Sequence, residues 1–83
     1  MSENNINYEE EFMGNVIFNG WIASDFEGFD DGKVFEMSDG STWQQSEYKY
    51  WYHYAYMPKA KIVSEYGRTV LHVDGNSVGV SRL

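Results

Sequence analysis

Five tyrosines recur at every second position in the run Tyr48-Lys49-Tyr50-Trp51-Tyr52-His53-Tyr54-Ala55-Tyr56-Met57. On a β-strand that spacing sends all of them to one face. The chemistry open to such a row is non-covalent, because phenol rings combine a large contact area with a hydroxyl at the tip. The opposite face would carry Lys49, Trp51, His53, Ala55 and Met57, of which Trp51, Ala55 and Met57 could pack inward, or the two faces could exchange roles. A strand apolar on both sides is normally covered on both, and a small domain can cover only one. The candidate binding or interface residues are therefore Tyr48, Tyr50, Tyr52, Tyr54, Tyr56 and Trp51, with Gln44 and Gln45 able to orient a ligand. Three uses compete: packing inside the molecule, self-association, and a groove for a peptide or ligand.

Covalent chemistry finds no comparable pattern. His53 and His72 have no partners at metal-ligand spacing, and there is neither a Ser-His-Asp order nor a glycine-rich phosphate loop. Asp30 and Asp31 are adjacent and read as turn formers, not as an acid–base couple across a cleft. Asp25, Glu27, Asp31 and Glu36 match the first, third, seventh and twelfth positions of a calcium loop. The match fails where Phe29 and Asp30 replace a ligand and the required glycine. The expectation is a protein that is not an enzyme, with no catalytic residue, no metal and no cofactor.

Charge narrows the partners. Residues 1–31 carry eight acidic side chains and no Lys or Arg, whereas residues 32–83 carry six basic against five acidic, for a net charge of −7. Nucleic-acid binding through stacked tyrosines needs a basic groove beside them, and only Lys49, Lys59, Lys61, Arg68 and Arg82 are near in sequence. Nucleic acid is thus not expected, and a protein or a small cationic ligand is. No cysteine is present, so stability must come from packing. There is no signal-peptide pattern and no apolar run of the ~20 residues a membrane span needs, so no membrane partner and a cytoplasmic location are expected.

The elements that must position these residues are short. With 83 residues the chain can build one core. Residues 1–20 read as an acidic N-terminal extension, partly disordered, with a short helix or a first strand, and residues 21–83 as one small β domain. Strand signals cover Ala23–Phe29, Lys33–Met37, a stretch from Thr42, Lys59–Tyr66, Thr69–Asp74 and Val78–Leu83, with turns at Asp30-Asp31-Gly32, Gly67 and Gly75-Asn76. At Ser38-Asp39-Gly40 a two-residue turn would mix the faces. A three-residue loop with Gly40 in the left-handed region pairs Met37 with Ser41 and Phe35 with Trp43, gathering Phe35, Met37 and Trp43 on one face. A strand from Thr42 to Met57 would span ~50 Å at ~3.3 Å per residue, too long for a domain of this size, so a break is expected between Gln45 and Lys49.

Five to six short antiparallel strands suggest a mostly β fold, a small SH3-like barrel with a short N-terminal helix or extension. The segment Val34-Phe35-Glu36-Met37-Ser38-Asp39-Gly40-Ser41-Thr42-Trp43-Gln44-Gln45, followed by a tyrosine-rich strand and a late hairpin ending in Val78-Gly79-Val80-Ser81-Arg82-Leu83, resembles small bacterial proteins of the integron and mobile gene-cassette type. The resemblance covers about residues 26–83 and implies no particular activity. The function expected is a non-catalytic interaction domain, self-associating, most simply as a homodimer, or docking a protein through the tyrosine-rich strand. The alternative is a small-molecule binder with Trp43 and Trp51 as walls of an aromatic cleft.

Overall fold

A computed structural model of the chain describes residues 15–83. Eight strands follow one another: β1 (Asn15–Trp21), β2 (Asp25–Phe29), β3 (Val34–Glu36), β4 (Thr42–Gln45), β5 (Trp51–Tyr56), β6 (Lys59–Glu65), β7 (Arg68–Val73) and β8 (Asn76–Arg82). The readings of residues 1–14 lie outside the described residues, and from Asn15 onward the choice between helix and first strand resolves to strand. None of the described residues is helical, so no helix among them is long and apolar enough to cross a membrane.

Six strands form one antiparallel sheet in the order β1-β6-β7-β8-β4-β3, and β2 and β5 form a separate two-stranded ribbon. The all-β class is as expected, but the described residues hold eight strands where five to six were expected, and the sheets do not close into a barrel. Just beyond β1 the chain meets the end of β3 through an Ile22–Met37 bridge, with Ser38 donating to the Trp21 carbonyl at 2.8 Å and Ala23 to that of Glu36 at 2.9 Å. That contact is a single bridge and not a ladder, so the sheet curls until its outer strands touch at one end.

Alternation decides what is buried. Ala60 and Ile62 of β6, Leu71 and Val73 of β7, and Val78 and Val80 of β8 face Phe18, Phe35, Met37 and Trp43 in one core. The ribbon closes that core by contributing Phe26 and Phe29, with Trp51 packed partly against it. The predicted register between β3 and β4 is the observed one: Phe35 pairs with Trp43, Met37 N–H donates to the Ser41 carbonyl at 2.8 Å, and Gly40 has φ +89°. The last two hairpins turn on Tyr66-Gly67 and Asp74-Gly75, with both central residues at positive φ, the primed turn that matches strand twist. The second turn thus sits one residue earlier than the sequence suggested.

Candidate functional site: the tyrosine face of the ribbon

The long tyrosine-containing segment breaks where its length requires, between β4 and β5, and a buried glutamine fixes the break. Gln45 is 4% exposed. Its Oε1 accepts from Asp30 N–H at 2.9 Å, and its Nε2 donates to the carbonyls of Glu47 at 3.0 Å and Lys49 at 2.9 Å. A buried amide must satisfy its hydrogen bonds, and here loop backbone satisfies them, holding residues 47 and 49 against the end of β2.

Beyond the loop, β5 is anchored through its inner side chains. Trp51 packs against Phe29 with ring centroids 5.1 Å apart and stacks on His53 at 4.7 Å, 6° from parallel. His53 Nε2 lies 2.9 Å from Asp74 Oδ2 in the β7–β8 turn, and Lys49 Nζ donates to the Ser77 carbonyl at 2.7 Å. At Gly28 the ribbon carries a bulge, with φ +104° and a Cβ position that would fall 1.8 Å from the Trp51 carbonyl oxygen. Only glycine permits that approach. Met57, expected to turn inward, instead leaves the strand at φ +49° and is exposed ahead of buried Pro58.

With the inner side so fixed, the tyrosines point out. Tyr48, Tyr50, Tyr52, Tyr54 and Tyr56 are 77%, 64%, 64%, 53% and 69% exposed. The structure brings together Tyr52, Tyr54 and Tyr56 on the outer face of β5, with Tyr48 and Tyr50 extending the exposed run ahead of it. It does not bring in the other candidates. Trp51 faces the core, Gln45 is consumed by the loop, and Gln44 donates to the Gly32 carbonyl at 3.1 Å. Trp43 is 4% exposed, its indole N–H held by Ser41 Oγ at 3.0 Å, so neither tryptophan of the expected cleft is a free wall.

The same face is acidic. Asp25 opposes Tyr56 across the ribbon and accepts from the Tyr54 hydroxyl at 3.2 Å. The Asp25 charge holds the Tyr54 phenol above its ordinary pKa, helped by partial burial, the hydrogen bond itself, Glu27 and Tyr56. In the sequence Asp25 and Glu27 count among the acidic residues of 1–31 and in the rejected calcium loop, and nothing there places them beside the tyrosines. Among the described residues no group of His, Cys, Asp and Glu is placed to hold a metal ion.

Met57 N–H donates to the Ser24 carbonyl at 3.1 Å, so hydrogen-bond alternation turns the backbone groups of Tyr56 to the opposite edge. No described strand pairs with that edge. The arrangement therefore offers a hydroxyl-tipped aromatic surface flanked by carboxylates and an unpaired strand edge. Comparison of the chain with protein-family models, with curated proteins and with solved structures finds no match.

Proposed function

We propose that this chain is a non-catalytic interaction domain that associates with a second copy of itself through the outer face of the β2–β5 ribbon. The observation that carries the reading is that every tyrosine from Tyr48 to Tyr56 is more than half exposed while the inner side of the same strand is anchored to the core. Those rings offer roughly 700 Å² of contact surface. That exceeds the ~300–600 Å² of the largest patch on a typical monomer and approaches the ~800 Å² each partner contributes to a standard interface. A two-fold arrangement lets one self-complementary face cover its twin, and the free edge of β5 adds backbone donors and acceptors.

A basic segment of another protein is the second reading, favoured by Asp25 and Glu27 beside Tyr54. We also read the curled six-stranded sheet as an opened relative of the SH3-like barrel, supported by the contact between Ile22 and Met37. The test of the dimer is light scattering after size exclusion. Wild type should run as a dimer, and Tyr52→Ser with Tyr54→Ser should halve the mass while the circular dichroism stays that of the folded chain, because interface aromatics carry association and not strand pairing. A wild-type protein monomeric at ~1 mM, where even weak dimers form, would exclude self-association. Unfolding of the double variant would assign the rings to monomer stability instead.

A further inference from the structure

The cations of this acidic chain are unevenly engaged. Of the six Lys and Arg residues, Arg68 pairs with Glu47 at 2.6 Å, Lys33 lies 3.9 Å from Glu27, Lys49 donates to the Ser77 carbonyl, and Arg82 sits 5.4 Å from the Trp43 ring centre. Among the described residues Lys59 and Lys61 have no acceptor, ion-pair partner or ring. Both line one hollow of about 330 Å³ on the outer face of β1, β6 and β7, together with Asn19, His72 and Asp74.

Strand register brings these groups together. Asn19 opposes Lys61 across β1 and β6, and His72 opposes Lys61 across β6 and β7. Opposed residues share a face with Cβ atoms ~4.5–5.5 Å apart, so an amide, an ammonium and an imidazole form a row across three strands. Lys59 stands two residues along on the same face, ~7 Å away. Trp21 opposes Lys59 and is 47% exposed, placing a flat apolar ring beside that ammonium.

One carboxylate, Asp74, lines the hollow, and Glu65 lies near His72 beside it. Asp74 Oδ2 is 2.9 Å from His53 Nε2, and Glu65 Oε2 is 3.4 Å from His72 Nε2, a nitrogen buried without a hydrogen bond. Among the described residues, the two ammonium groups of Lys59 and Lys61 outnumber the single carboxylate, Asp74, that lines the hollow. A second hollow, of about 390 Å³, differs: its Arg68 is taken by Glu47, which also accepts from Gly79 N–H.

We propose that the hollow bordered by Asn19, Lys59, Lys61 and His72 binds a small phosphorylated organic anion, with the phosphate on the two lysines and Asn19 and the organic body against Trp21. A tetrahedral oxyanion presents several acceptor oxygens, which suits N–H donors arriving from two strands, and charge-assisted bonds of this kind are the strong ones. The volume falls at the lower end of the ~300–1,000 Å³ typical of small-molecule sites, leaving room for an organic group. The net charge of −7 repels anions at long range, so binding must come from these direct contacts. The site lies on the six-stranded sheet and does not depend on the tyrosine face.

The test is nuclear magnetic resonance of the isotope-labelled full chain, titrated with inorganic phosphate and with glycerol 2-phosphate at constant ionic strength set by sodium chloride. Saturable shifts are expected at Asn19, Lys59, Lys61 and His72, with the ester adding a shift of the Trp21 indole. Lys59→Gln with Lys61→Gln should weaken binding about tenfold or more with the rest of the spectrum unchanged. Shifts that stay linear with concentration, or a double variant that titrates like the parent, would overturn the proposal. Saturation by inorganic phosphate without any Trp21 response to the ester would overturn the assignment of the organic body.

Discussion

A single hydroxyl reports the electrostatics of the tyrosine face. Tyr54 is held neutral beyond its ordinary range first by the charge on Asp25, and the bond between them runs 3.2 Å from the hydroxyl to the carboxylate. A pKa raised in the fold favours the protonated form there. Its contribution to stability is complete below the ordinary tyrosine pKa and is lost as pH rises through the folded value. Carbon resonances of the tyrosine rings, followed through alkaline pH, should show Tyr54 ionising above the ordinary range in the parent and returning toward it in Asp25→Asn. Identical titration in both chains would refute the pairing. At this scale the sequence was legible where parity alone decides, as for Phe35 opposite Trp43. It was not legible at Gln45, because a polar residue at core parity reads as a break in the strand and not as the group that fixes the break. Lys61 and His72 could not be joined without knowing that β6 and β7 are neighbours and that β1 lies on the other side.

At the scale of elements, two glycines separate two reasons for their presence. Gly40 has φ +89° with nothing within 4 Å of the position a Cβ would take, whereas Gly28 combines φ +104° with the Trp51 backbone. Gly40→Ala should therefore cost ~1–2 kcal/mol, the strain of a left-handed non-glycine residue. Gly28→Ala should cost clearly more, since the ribbon must separate to admit the methyl group. Urea unfolding of both variants checks the order, and equal costs would count against the bulge. The hairpins were readable from turn chemistry and the β4–β5 break from chain length. The ribbon was not, because the partner of β2 is β5 and no local pattern announces a pairing across residues 30–50, which include two other strands. For the same reason the strand signals suggest a smaller barrel than the eight-strand, two-sheet arrangement of the described residues.

For the molecule as a whole, association and charge oppose each other. Two copies, each at −7, repel, and the facing surfaces carry Asp25 and Glu27. Added salt screens that repulsion, with a Debye length falling from ~30 Å at 0.01 M to ~10 Å at 0.1 M, so the proposed dimer should tighten as ionic strength rises. Sedimentation equilibrium over that range measures it. Weakening with salt would instead indicate attraction between unlike charges, as a basic partner would supply.

The order of the six-stranded sheet also carries a consequence in time. β6, β7 and β8 are joined by two-residue turns and can zip as a local meander, whereas β1 adds to β6 only after the whole chain between them has looped back. Closing that loop costs entropy before any contact repays it. The meander therefore needs only local contacts to form, whereas the β1 seam waits on long-range loop closure, as does the pairing of β4 with β8.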